Sequence, residues 1–172
     1  MIETVKDRVS ISQLMRDLNL EVVYMPEKEE YFVESEDVNR TGLPLAGYFE
    51  YFPYERIQII GKTEYTYFQN ISKKEREEVL DKFFSYEIPV LIVTRGLEVD
   101  KDIIKKAKKY QRIVLSSKSN TTRFINRLSN YLDSKLAPHV TIHGVLVDVY
   151  GIGVLIKGES SIGKSETALE LI

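Results

Sequence analysis

Eight residues close to the C-terminal end constrain this chain most. Gly158-Glu159-Ser160-Ser161-Ile162-Gly163-Lys164-Ser165 follow the G-x-x-x-x-G-K-[ST] pattern of a phosphate-binding loop. The pattern carries meaning only between a strand and a helix; elsewhere it is a glycine-rich turn. Here the apolar run Gly153-Val154-Leu155-Ile156-Lys157 leads in, and Ser165-Glu166-Thr167-Ala168-Leu169-Glu170-Leu171-Ile172 leads out as a helical start. Gly158 and Gly163 allow backbone conformations and close approaches that a side chain would block. Successive N–H groups then converge on phosphate oxygens. Lys164 supplies a mobile cation for the β- or γ-phosphate, and Ser165 a hydroxyl for Mg²⁺. Glu159 adds a negative charge inside the loop and is expected to point outward.

The preceding sequence alternates between strand and helix. Val9–Leu20 reads as an amphipathic helix capped by Ser10, with Ile11, Leu14, Met15 and Leu18 at helical spacing. Glu21–Met25 follows as a strand. The acidic stretch Glu27–Asp37 reads as a solvated loop around Tyr31-Phe32-Val33. Gly42–Gly47 is expected to turn into a short helix carrying Tyr48, Phe49, Tyr51 and Phe52, aromatics read as packing groups. Arg56–Gly61 is a strand. Ser72 and Glu75 have capping-box spacing and open a helix to about Tyr86. Pro89–Thr94 is apolar enough for a strand buried on both faces. A helix over Asp100–Tyr110, a strand over Arg112–Ser116 and a helix over Asn120–Leu136 complete an α/β layer pattern. The last helix is about 25 Å long, enough to bridge two domains, and Pro138 stops it. The expected boundary lies near residue 135, giving domains 1–135 and 136–172. Beyond it, Val140–Val149 and the run after Tyr150-Gly151 read as a hairpin that feeds the loop.

Bulk composition narrows the partners. The 172 residues are 43% hydrophobic and 29% charged, an ordinary globular balance. A net charge of −2 gives no electrostatic case for nucleic acid or an anionic membrane. There is no cysteine, hence no disulfide or thiolate chemistry. No apolar run approaches the roughly 20 residues of a membrane span, and no leader pattern opens the chain. The expected location is the cytoplasm.

Further candidate groups have two readings each. His143 is either a satisfied strand residue or a histidine near the phosphates, able to shuttle a proton or steady a carboxylate. His139 reads as a surface residue. Asp148 is either an exposed hairpin residue or a metal ligand at a strand end. The run Lys105-Lys106-Ala107-Lys108-Lys109 reads as the solvated face of a helix.

Ile142-His143-Gly144-Val145-Leu146-Val147-Asp148-Val149-Tyr150-Gly151-Ile152-Gly153-Val154-Leu155-Ile156, running into the loop and on to Leu171, closely resembles the bacterial HPr kinase/phosphorylase family. Gly42-Leu43-Pro44-Leu45-Ala46-Gly47-Tyr48-Phe49, Ile92-Val93-Thr94-Arg95-Gly96-Leu97 and Thr121-Thr122-Arg123-Phe124 resemble its N-terminal signatures. Two positions depart from the pattern: Ser161 replaces a glycine found in many members, and Thr41 replaces an expected proline. The resemblance implies an N-terminal α/β domain similar to a muramyl peptide ligase substrate domain. The first hairpin, phosphate loop and helix start of a P-loop kinase domain would follow it. It implies ATP- or pyrophosphate-dependent phosphorylation of a serine on the phosphocarrier protein HPr, and phosphorolytic removal of that phosphate, in carbon catabolite regulation. His143 and Lys164 would be active-site residues, Gly158–Ser165 the nucleotide site, Ser165 a Mg²⁺ ligand, and the assembly a homohexamer. The family's paired aspartates, metal-binding glutamate and HPr-contacting loop would lie beyond Ile172. The chain would then be a fragment, inactive by itself. Two alternatives remain: a non-catalytic regulatory or interaction module, or an unrelated P-loop ATPase or kinase.

Overall fold

The computed structural model describes residues 8–27, 30–137 and 143–171. The chain divides into two compact units, residues 1–138 and 139–172. The first unit opens with β1 (Val9–Ser10), α1 (Ile11–Leu18), β2 (Glu21–Tyr24), β3 (Phe32–Val33), β4 (Val38–Arg40) and α2 (Gly42–Leu45). It continues through β5 (Ile57–Ile60), α3 (Lys62–Asn70), α4 (Lys73–Ser85), β6 (Leu91–Val93), α5 (Lys101–Tyr110), β7 (Val114–Ser116) and α6 (Thr121–Leu136). Five strands form one sheet in the order β2-β7-β6-β5-β4. β4, β5, β6 and β7 run parallel, and β2 closes the β7 edge antiparallel. β1 and β3 pair as a small separate ribbon.

Alternation along the central strands separates two cores. Ile57 and Ile59 of β5, Ile92 of β6 and Leu115 of β7 pack with Leu14 of α1 and Phe124, Leu128 and Leu132 of α6. Ile60, Leu91, Val93 and Val114 pack on the opposite face with Phe68, Leu80, Phe83, Phe84 and Ile103 from α3, α4 and α5. The result is three layers, with β6 buried on both faces as its apolar run requires.

Local chemistry sets the element ends. Ser10 caps α1 by accepting the Gln13 N–H at 3.2 Å, and Asn19 ends that helix in a left-handed conformation, φ 54°. At α4 both capping-box bonds form. The Glu75 N–H donates to Ser72 Oγ at 3.2 Å, and the Ser72 N–H donates to Glu75 Oε2 at 2.9 Å. Thr41 is fully buried, and its N–H donates to the Ile59 carbonyl at 3.1 Å, a bond that proline could not make.

Three expectations change. The helix near residue 45 is Gly42–Leu45 itself; Gly47 leaves it with φ 89°, and Tyr48–Phe52 form turns instead. Phe49 and Phe52 are buried there in an edge-to-face pair, whereas Tyr48 and Tyr51 are exposed. α6 is no spacer, because Phe124, Leu128 and Leu132 belong to the core of the first unit. The lysine run is more than a solvated face, since Lys106 and Lys109 both bind the Asp81 carboxylate of α4. β4 and α3 were not anticipated. His139 and residues 140–142 lie outside the described residues.

Candidate nucleotide-binding site

The second unit is an antiparallel hairpin, β8 (Gly144–Val149) and β9 (Ile152–Lys157), followed by α7 (Lys164–Glu170). Tyr150 and Gly151 form its turn with φ 52° and 82°, the left-handed pair that suits the twist of a two-residue loop. The Asp148 carboxylate accepts the Gly151 N–H at 2.8 Å. Val147 and Ala168 are buried between hairpin and helix. Gly144 stands opposite Lys157, where an added Cβ would lie 2.8 Å from the Ile156 carbonyl. That close approach was signalled in sequence by a glycine at a strand start.

The loop between β9 and α7 has the shape its residue types require. Gly163 lies at φ 91°, and Ser161 also lies in the left-handed region at φ 66°. A Cβ on Gly158 would come within 3.0 Å of the Ile162 side chain. The Lys164 side chain folds back along the loop, donating to the Gly158 carbonyl at 2.9 Å and to the Glu159 carbonyl. Glu159, Ser160, Ser161, Ile162 and Ser165 are exposed. The Gly163 carbonyl accepts both the Thr167 N–H at 3.0 Å and its hydroxyl at 3.1 Å, tying the first turn of α7 to the loop. Thr167 had not been singled out as a site residue; its spacing four residues after Gly163 was the available signal.

Hairpin register places His143 and Asp148 at opposite ends of the hairpin. His143 is exposed and lies one residue before the Gly144–Lys157 pair, so it flanks Gly158 at the loop end of the hairpin. Asp148 sits at the turn end, about 16 Å away along an extended strand, and its carboxylate caps the turn. Asp148 thus has the place of an exposed hairpin residue, the first of its two readings. The remaining residues offer a chemically coherent set: loop N–H groups and an ammonium for anionic oxygens, a hydroxyl in the first helical turn, and an imidazole at the rim.

Comparison with known proteins identifies the setting. The family model for the HPr Serine kinase N terminus matches residues 9–132, and that for the HPr Serine kinase C-terminal domain matches residues 134–172. The chain belongs to the HPr serine kinase family. An HPr kinase/phosphorylase from Peptoclostridium acidaminophilum is 53% identical over 96% of this chain and 54% of its own length. The HPr kinase/phosphorylase of Caldanaerobacter subterraneus subsp. tengcongensis is 55% identical over 96% of this chain and 54% of that protein. The chain thus spans about half the length of the curated relatives it matches. A crystal structure of the CBS and DRTGG domains of the regulatory region of Clostridium perfringens pyrophosphatase, in complex with the activator diadenosine tetraphosphate, has a similar fold. Its TM-score is 0.51 at 17% identity, covering 75% of this chain and 50% of that one. Among the described residues, no helix is long and apolar enough to cross a membrane.

Proposed function

We propose that the intact protein phosphorylates a serine of HPr with ATP or pyrophosphate, and removes that phosphate by phosphorolysis, within carbon catabolite regulation in the cytoplasm. One observation carries this reading. Lys164 folds onto the Gly158 and Glu159 carbonyls of a loop whose glycines and left-handed turns leave the backbone open to an anion. In the proposed reaction the Lys164 ammonium leaves those carbonyls for the phosphate oxygens. Loop N–H groups share the developing negative charge. The Ser165 hydroxyl is the loop's ligand for Mg²⁺, which when bound neutralises phosphate charge. His143 flanks Gly158, where it would steady a carboxylate of the intact protein, supplied from outside these 172 residues, that takes the serine proton. The nucleotide site comprises Gly158, Glu159, Ser160, Ser161, Ile162, Gly163, Lys164 and Ser165.

In this reading the 172-residue chain does not transfer phosphate by itself, and the intact protein assembles as a hexamer. The test incubates the intact protein with HPr, Mg²⁺ and ATP, and compares Lys164→Ala. Serine phosphorylation should appear and fall at least about 100-fold in the variant, the scale set by losing one preorganised charge-stabilising group. A folded intact protein that binds ATP yet leaves HPr unmodified would overturn the assignment.

A further inference from the structure

We propose that the first unit carries its own binding site for a small phosphate-bearing molecule, at the C-terminal edge of the parallel strands. It does not depend on the phosphate loop of the second unit. Three stretches meet at this edge: Arg40-Thr41-Gly42 at the end of β4, Thr94-Arg95-Gly96 after β6, and Thr121 at the start of α6. The Thr94 and Thr121 hydroxyls lie 2.8 Å apart, and Arg95 Nε donates to Thr121 Oγ1 at 3.2 Å. Gly61, after β5, completes the contact, since an added Cβ would lie 2.9 Å from Thr121 Oγ1. α3 and α6 start here and then pack on opposite faces of the sheet. Ligands of open α/β sheets bind beyond the carboxyl ends of the strands, the end at which these residues lie.

Beside this edge lies an open cleft of about 530 Å³ lined by Lys62, Thr63, Thr66, Tyr67, Asn70 and Arg95, and Arg95 ties it to Thr121. Two of its residues break local rules. Lys62 begins α3, where the helix field disfavours a cation. Arg95 holds φ at 66° beside Gly96 at φ 62°, a conformation that a long side chain adopts at a cost. Neither has a carboxylate partner among the described residues, and both are exposed to the cleft. Glu64, two residues after Lys62, is already committed, with one oxygen on Arg40 at 2.6 Å and the other on the Gly61 N–H at 3.1 Å. Two locally unfavourable choices therefore direct uncompensated positive charge into one cavity, the pattern expected where a site overrides stability. Phosphate matches this charge, with Arg95 offering a forked donor and Lys62 a mobile one. The Thr63 hydroxyl and the half-exposed Tyr67 ring give the rest of the molecule a wall to lie against.

The test uses the 172-residue chain carrying Lys164→Ala, so that the loop of the second unit is silenced, with inorganic phosphate as the probe. Backbone amide resonances of Lys62, Thr63, Arg95 and Gly96 should shift saturably. Adding Arg95→Gly should weaken that binding at least about fivefold, as expected for one charge-assisted contact, while raising the unfolding temperature because glycine accepts the same backbone angle. Lys62→Ala should weaken binding likewise without altering the fold. Absence of saturable shifts at these amides, or a loss smaller than fivefold in both variants, would overturn the site.

Discussion

Ser161 holds φ at 66° in the middle of the phosphate loop, two residues before Gly163 at φ 91°. Left-handed geometry costs an L-residue roughly 1–2 kcal/mol relative to glycine, and more for β-branched side chains. Serine tolerates the position because it is small and exposed. Ser161→Gly should therefore keep nucleotide affinity or improve it, whereas Ser161→Val should resist the angle. We expect the two variants to differ about tenfold or more in ATP affinity, the equivalent of about 1.4 kcal/mol. Calorimetric titration of the intact protein checks this; equal affinities would mean that binding does not require the observed loop conformation. The loop glycines, the lysine and the helix-leading hydroxyl were legible in the sequence. The glycines have backbone roles tied to residue type, whereas Lys164 and Ser165 were marked for their side chains by their fixed places in the motif. The Asp148 turn cap joins residues only three apart, so it is locally encoded; in sequence Asp148 was placed in the hairpin without being assigned that bond.

At the scale of elements, α4 and α5 are joined by a clamp of one carboxylate and two ammonium groups. Lys106 donates to Asp81, and Lys109 donates to the same oxygen at 2.8 Å. These bonds, that from Lys106 foremost, hold the Asp81 carboxyl well below the usual carboxylate range. A depressed folded-state value stabilises the fold above the unfolded value of about 3.9, and the gain disappears as pH falls through the folded value. Asp81→Asn should thus lower the unfolding temperature at pH 7, by an amount corresponding to about 1 kcal/mol or less, since the pair is partly exposed to solvent. The difference should shrink steadily below about pH 4. A variant gap that stays constant down to pH 2 would show that the clamp is not electrostatic. α4 and α5 were readable in advance because caps and apolar spacing agree in both. α3 was not. Its residues Lys62-Thr63-Glu64-Tyr65-Thr66-Tyr67-Phe68-Gln69-Asn70 are mostly poor helix formers, and only Glu64 and Phe68 are buried, so no apolar stripe repeats. Glu64 bonding back to the Gly61 N–H holds its first turn. β4 was missed for a related reason: Val38-Asn39-Arg40 is a short, polar edge strand. It is secured by the β5 ladder and by the Asn39 amide donating to Gln58 at 2.8 Å. Tyr48–Phe52 carried helical spacing but not a helix, because the left-handed Gly47 and the buried contacts of Phe49 and Phe52 with Tyr86 satisfy those rings in turns.

Across the whole chain, the two units differ in how much apolar surface they remove from water. The first has a core on each face of a five-stranded sheet, and Leu91, Ile92 and Val93 of its central strand are fully buried. In the second, Leu146 is 72% exposed, Ile152 68% and Leu155 43%, and among the described residues only Val147 and Ala168 are buried. A hairpin with one short helix buries too little to be stable alone; domains below about 40 residues need additional support. The relatives extend to about twice the length of this chain, so the support is expected from sequence outside the 172 residues. Native-state hydrogen exchange separates the two regimes, since amide protection reports the free energy of the local opening. In the 172-residue chain, amides of β6 should exchange at least about 1,000-fold more slowly than those of β8 and β9, a gap of roughly 4 kcal/mol. In the intact protein the hairpin amides should slow towards the β6 values, because the exposed face of Leu146 and Leu155 would then be covered. Equal protection of hairpin and sheet in the 172-residue chain would show that the phosphate loop stands on a self-sufficient unit. The nucleotide site would then be complete in stability even where its chemistry still needs the remainder of the protein.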